Sequence, residues 1–138
     1  MPVNATTPIL NVSDVAASVA WFAQFGWRQG FLWPAGATPD FGSVCTDNAE
    51  IFLCLNGQGQ RGTPAPAPEG QPATDGAWMS WWMASPAEVD ALYAKAVSLG
   101  CVVLQAPADY PWGVREFGLR HPDGHVFRVS AGTGAADD

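Results

Sequence analysis

Few side chains in this sequence offer chemistry beyond packing. His121 and His125 are its only histidines. They stand four apart, but His121-Pro122-Asp123-Gly124 separates them. Proline fixes φ and glycine accepts positive φ, so the two imidazoles flank a turn and do not share a helix face. Turn capping with partial exposure is the expected role. The three cysteines, Cys45, Cys54 and Cys101, are odd in number, far apart and set in apolar segments. They read as buried free thiols of a reducing compartment, the cytoplasm. No Ser/His/Asp order, phosphate loop or CxxC pair occurs. Asp14 and Asp123 read as a helix-start and a turn residue. Glu116 is the one carboxylate in a strand-like segment beside a Trp-Gly corner, Trp112-Gly113. It can act as a base or help to hold a cation. Seven tryptophans in 138 residues are many, and their rings offer stacking and cation–π contacts of about 0.5–2 kcal/mol each.

The elements that must position these groups are written twice. A strand, Thr7–Val12, leads into a helix over Asp14–Phe25 with Val15, Val19 and Phe22 at spacings of four and three. Ser13 is the expected N-cap and Gly26 the stop. Strands follow at Trp27–Trp33, Phe41–Thr46 and Ala49–Leu55, the last two joined through Asp47-Asn48. The second half opens with a strand over Trp78–Ala84. Ser85-Pro86-Ala87-Glu88 is a capping box with proline at the first helical position. The helix places Val89, Leu92, Tyr93 and Ala96 on one face, and Gly100 ends it. Strands at Cys101–Gln105, Val114–Arg120 and Val126–Ser130 complete the half. Each half is βαβββ, an α+β arrangement. Asn56–Gly76 is rich in Gly, Pro, Ala and Gln without periodicity, and reads as an extended, mobile linker. The tail, 132–138, reads as disordered. The whole is expected to be one domain, with module one at 5–55, the linker at 56–76 and module two at 77–131.

Charge narrows the partners. Thirteen acids face six bases, for a formal net charge of −7, and Lys95 is the only lysine. Nucleic acid is not expected, since phosphate neutralisation needs clustered Lys and Arg. An acidic surface attracts cations. Met1–Val12 lacks the basic start and long apolar run of a signal peptide. No run of about 18 apolar residues predicts a membrane span.

The opening PILNVSDVAASVAWF, the strand Asn48–Leu55, the helix Glu88–Gly100 and above all PWGVREFGLRHPDGH, residues 111–125, together resemble the vicinal oxygen chelate superfamily. This group includes glyoxalase I, extradiol dioxygenases and antibiotic-resistance proteins. The similarity covers about residues 5–131, and the Pro-Trp-Gly and Arg-Glu-Phe pieces look most like bleomycin-resistance proteins. The resemblance implies two βαβββ modules whose mixed sheets curve into cups, with helices on the outer face, in an intertwined homodimer that completes two ligand grooves. Enzymes of the superfamily hold a divalent metal with four inward-facing His or Glu side chains. Carried over singly, those positions fall on Thr7, Phe52, Trp78 and Arg128, none a usual ligand. No metal, other cofactor or catalytic residue is therefore expected.

Strand parity then sorts the groove from the core. Glu50, Phe52 and Cys54 share the cavity face in the first half, with Trp33, Asp40 and Phe41 beside them. Trp78, Trp82, Glu116 and Arg128 share it in the second, with Trp112 and Gly113 at its wall. Asp40, Glu50, Asp109 and Glu116 are the acids expected near the groove, while Trp21, Trp27 and Trp81 belong to the core or an interface. The resulting expectation is a metal-free protein that sequesters a cationic or heteroaromatic, bleomycin-like antibiotic. The alternatives are a metal-dependent lyase or dioxygenase, a metal-free enzyme with Glu116 as base, and a binder of another apolar metabolite.

Overall fold

A computed structural model describes residues 2–63, 69–70 and 75–134. The chain forms two compact units, Met1–Arg61 and Gly62–Asp138.

In the first unit β1 (Ile9–Val12) leads to α1 (Val15–Ala23), then β2 (Arg28–Trp33), β3 (Phe41–Cys45) and β4 (Glu50–Leu55). The sheet order is β1-β4-β3-β2. β1 runs parallel to β4 and the other pairs are antiparallel. Alternation in the strands puts Leu10, Val12, Val44, Ile51 and Leu53 on one face, where they are buried with Val15 and Phe22 of α1. The β3–β4 turn falls on Asp47-Asn48, closed by the Thr46 N–H donating to Ala49 O at 2.8 Å. Asp14, not Ser13, caps α1. Its backbone is extended, at φ −159° and ψ 111°, and its side chain accepts the Ala17 N–H. The helix therefore starts one residue later than Ser13 would set it. Gly26, at φ +90°, turns the chain out of the helix.

The second unit repeats the order as β5 (Trp78–Trp82), α2 (Pro86–Ser98), β6 (Val102–Tyr110), β7 (Val114–Arg120) and β8 (Val126–Gly132). Its sheet order is β5-β8-β7-β6, again with one parallel pair, β5 on β8. The capping box forms: Ser85 Oγ accepts the Glu88 N–H, and Glu88 reaches back to the Ala84 N–H. Val89, Leu92 and Ala96 are buried, and Tyr93 meets Phe117 edge-on at 5.4 Å. Trp81 lies against Phe127 at 4.5 Å in the same core. β6 runs five residues beyond Gln105, through Pro107. Register shifts on both sides of Gln105, on an edge strand, let a residue without an N–H enter the ladder.

The ends of the expected linker are tied down. Asn11 donates to Gly59 O, and Arg61 to Asn56. The Gly62 N–H donates to Asp123 O and the Gly76 N–H to Gly124 O, at 3.0 and 3.1 Å. Residues 64–68 and 71–74 of that linker, and 135–138 of the tail, lie outside the described residues. No described helix is long and apolar enough to cross a membrane. The three cysteines are thiols outside any disulfide, but half-buried, and Cys101 stands between α2 and β6, outside any strand.

Candidate functional site

Each sheet has one face covered by its helix and one free of it. On the helix-free face of the first sheet the register sets Ser43 beside Phe52, and Phe41 beside both Cys54 and Trp33. Phe41 and Phe52 meet at 5.5 Å, and Phe31 joins both, stacked on Phe41 at 5.6 Å and edge-on to Phe52 at 5.5 Å. Trp33, on the same strand as Phe31, is 61% exposed. Gly30 permits this cluster. A Cβ there would strike the Ser43 hydroxyl, which instead accepts the Phe31 N–H at 3.2 Å. Phe31 was missed from sequence, although its parity with Trp33 in β2 was available to find it. Glu50 is exposed opposite Cys45, four residues and about 13 Å along β4 from Cys54. It therefore stands at the other end of the face. Asp40 is exposed at the head of β3, its backbone bonded to Trp33 O and Leu55 N.

The second sheet is more polar. Trp78, Ser80 and Trp82 alternate outward along β5, with Trp78 and Trp82 56% and 69% exposed. Trp78 Nε1 donates to Asp75 Oδ2 at 3.2 Å. Glu116 and Arg128 meet on this face, Oε2 accepting from Nε at 3.0 Å and Oε1 from Nη2 at 2.9 Å. Glu116 holds the Arg128 pKa above its ordinary value, chiefly through these hydrogen bonds, and Tyr110 adds to the effect. The side chain of Glu116 is 6% exposed and that of Arg128 41%. Trp112 stacks on Tyr110 with centroids 4.9 Å apart and planes at 18°. Gly113, at φ +88°, bends the chain between β6 and β7, its N–H donating to Tyr110 O and its carbonyl accepting the Thr133 N–H.

Two expectations are corrected. Asp109 does not join the helix-free face. It pairs with Arg115, which also holds Asp90 on α2, so the carboxylate sits on the helix side of the sheet. Nor are the histidines partly exposed: both are 1% accessible, with rings 5.5 Å apart. His121 does cap the turn, Nδ1 accepting the Asp123 N–H at 2.9 Å. Burial, with a smaller push from His125, lowers its pKa to about 3 against the opposing pull of Asp123. Gly62 and Gly76 approach this corner closely: a Cβ on the first would strike Gly124, and one on the second His125. Arg120 braces the same corner, donating to Thr63 O and Gly124 O and pairing with Asp75 at 2.9 Å. Asp75 was also missed. It fell in the stretch read as linker, with no periodic pattern around it.

The positions at which the superfamily would hold a metal do not fit one. Phe52 is inside the phenylalanine cluster, the Trp78 indole donates to Asp75, and Arg128 is a cation paired with Glu116. Thr7, ahead of β1, brings a hydroxyl alone. Among the described residues no three His, Cys, Asp or Glu side chains gather as a metal site would require.

A family profile described as Glyoxalase/Bleomycin resistance protein/Dioxygenase superfamily matches residues 3–129. No curated protein matches the chain significantly by sequence. Solved structures match it in fold. TioX from Micromonospora sp. ML1 is similar with a TM-score of 0.73 and 21% identity, over 94% of this chain and 99% of that one. Lactoylglutathione lyase from Agrobacterium tumefaciens gives 0.69 and 20%, over 96% of each. The fosfomycin resistance protein FosX from Listeria monocytogenes gives 0.69 and 17%, over 97% of each. At these identities the likeness is one of fold.

Proposed function

We propose that this chain, which belongs to the Glyoxalase/Bleomycin resistance protein/Dioxygenase superfamily, is a metal-free binding protein that sequesters a planar heteroaromatic small molecule, of the kind found in bleomycin-like antibiotics, by stacking and without making or breaking a bond. The observation that carries this reading is the exposure of large rings on the helix-free faces. Trp33, Trp78, Trp82 and Trp112 are all more than half exposed, in a chain whose cores take Trp27 and Trp81 fully. Each such ring offers a hydrophobic surface of about 150–250 Å² with a defined stacking geometry. Glu116, the one acid able to act as a base on the second face, is held in a two-point ion pair, which favours binding over turnover. The net charge of −7 and the exposed Asp40 and Glu50 suit a ligand with a cationic group elsewhere on its frame. The family resemblance adds a homodimer.

Titration calorimetry with bleomycin-, mitomycin- and quinoxaline-type ligands tests the proposal. Micromolar binding with the ligand recovered unchanged is expected. Absence of binding by all three, or stoichiometric Zn, Ni, Fe or Mn in the purified protein, would sink it.

A further inference from the structure

The Glu116–Arg128 pair is asymmetric. Its anionic half is buried, at 6% side-chain exposure, while its cationic half is 41% exposed. Solvent therefore meets a guanidinium where the superfamily's enzymes have a metal-binding carboxylate. A guanidinium has five N–H donors and no acceptor. Glu116 takes two of them, through Nε and Nη2, and the others have no partner among the described residues. The register places Arg128 beside Ser80 of β5, between the exposed Trp78 and Trp82.

We infer that this face is a subsite for the carboxylate-class oxyanion of an aromatic ligand: Arg128, fixed by Glu116, meets the oxyanion, and Trp78 and Trp82 hold the ring. The inference rests on the aromatic-binding reading and adds to it the group that the ring carries. Glu116 then has a positioning role. It consumes one edge of the guanidinium and pins the fork, so that the remaining donors are presented with little entropy left to lose. The expected chemistry differs from attraction of a cation by Glu116, because the exposed end of the pair repels cations.

The test compares quinoxaline-2-carboxylate with size-matched 2-methylquinoxaline by calorimetry in 150 mM salt. Wild-type protein should bind the carboxylate at least tenfold more tightly, the least expected of a charge-assisted hydrogen bond of about 1.5–3 kcal/mol. The double substitution Glu116→Gln with Arg128→Gln keeps hydrogen-bonding groups at both positions and leaves no buried charge unpaired. It should abolish the preference, read as the ratio of the two affinities, and show a cooperative thermal transition. Arg128→Lys should retain part of the preference. Equal binding of the two probes by wild type overturns the oxyanion subsite and leaves the aromatic reading standing. A preference that persists in the double variant also overturns the subsite. Failure of both probes to bind wild type overturns the subsite, and the aromatic reading falls with it where bleomycin- and mitomycin-type ligands fail as well.

Discussion

Lowering the pH should unfasten the corner where His121 is buried. His121 has an ordinary pKa of 6.5 and is lowered to about 3 in the folded chain. The native state therefore binds fewer protons than the unfolded state between these limits. Its contribution to stability is whole above about pH 6.5 and is lost as the pH falls toward 3. One proton of difference gives a slope of about 1.4 kcal/mol per pH unit. Between pH 7.5 and 4.5 the loss from this group alone is on the order of 3 kcal/mol, a large share of the 5–15 kcal/mol typical of a folded protein. Geometry makes the penalty specific. Protonation of Nδ1 removes the acceptor for the Asp123 N–H and places a charge beside the His125 ring. The assay is urea unfolding at half-unit steps of pH, for wild type and for His121→Asn, whose side-chain oxygen can accept the same N–H without titrating. The many carboxylates also titrate in this range, so the difference between the two proteins is the quantity read. The wild type should lose on the order of 3 kcal/mol more than the variant over this interval. Parallel stability curves for the two proteins would refute the reasoning.

Three further outcomes follow from the same contacts. Removal of the guanidinium in Arg128→Ala strands Glu116, which is 5% exposed, and should cost about 2–3 kcal/mol in urea unfolding, whereas Arg115→Ala, on an exposed pairing with Asp90 and Asp109, should leave the midpoint where it was. A Cβ at Gly62 would collide with the backbone of Gly124, and one at Gly76 with the His125 ring, so alanine at either should destabilise by about 1–3 kcal/mol or more, while Gly57→Ala, with only ordinary contacts to Cys54 and Leu55, should be near neutral. Trp81→Ala should cost about 3–5 kcal/mol, and Trp112→Ala, at 54% exposure, should cost far less while weakening ligand binding in calorimetry.

Most of the fold was legible because two periods are written plainly into the chain. Parity in the strands separates Trp81 from Trp78 and Trp82, and the structure buries the first and exposes the others. The pairing of Glu116 with Arg128 was within reach as well. Once His121–Gly124 is the turn, the register follows: Arg120 faces Val126, Gly118 faces Arg128 and Glu116 faces Ser130. Those pairings leave the two charged side chains diagonal neighbours on one face. What was hidden depended on contacts distant in sequence. His121 looks exposed at a polar turn, yet it is buried in a corner that Gly62 and Gly76 of the connecting segment approach closely. Asp75 sits in a composition that signals linker, yet it links Arg120 and Trp78. The strand expected over Cys101–Gln105 runs on through Pro107 to Tyr110. An edge strand needs only half of its backbone groups for pairing, so β6 continues past the proline.

Net charge was the least transferable of the sequence signals, and the reason is positional. A count of −7 treats Glu116 as an acid available to a ligand. In the folded unit that carboxylate lies under the guanidinium it pairs with, so the surface it helps to build is donor-rich. Asp109 is likewise spent on Arg115, and Asp75 on Arg120. The acids that remain exposed among the residues expected to line the site are Asp40 and Glu50, both in the first unit. The chain's long-range field still favours approach of a cation. At contact distance the second unit's face favours an acceptor, because a pair's local effect is set by which partner reaches the solvent. A fixed guanidinium also differs from a bound metal. It offers directional N–H donors and a permanent charge, but no open coordination position through which a bound oxygen could be activated. On this face the physics therefore supports recognition of a ligand's oxyanion more strongly than reaction at it.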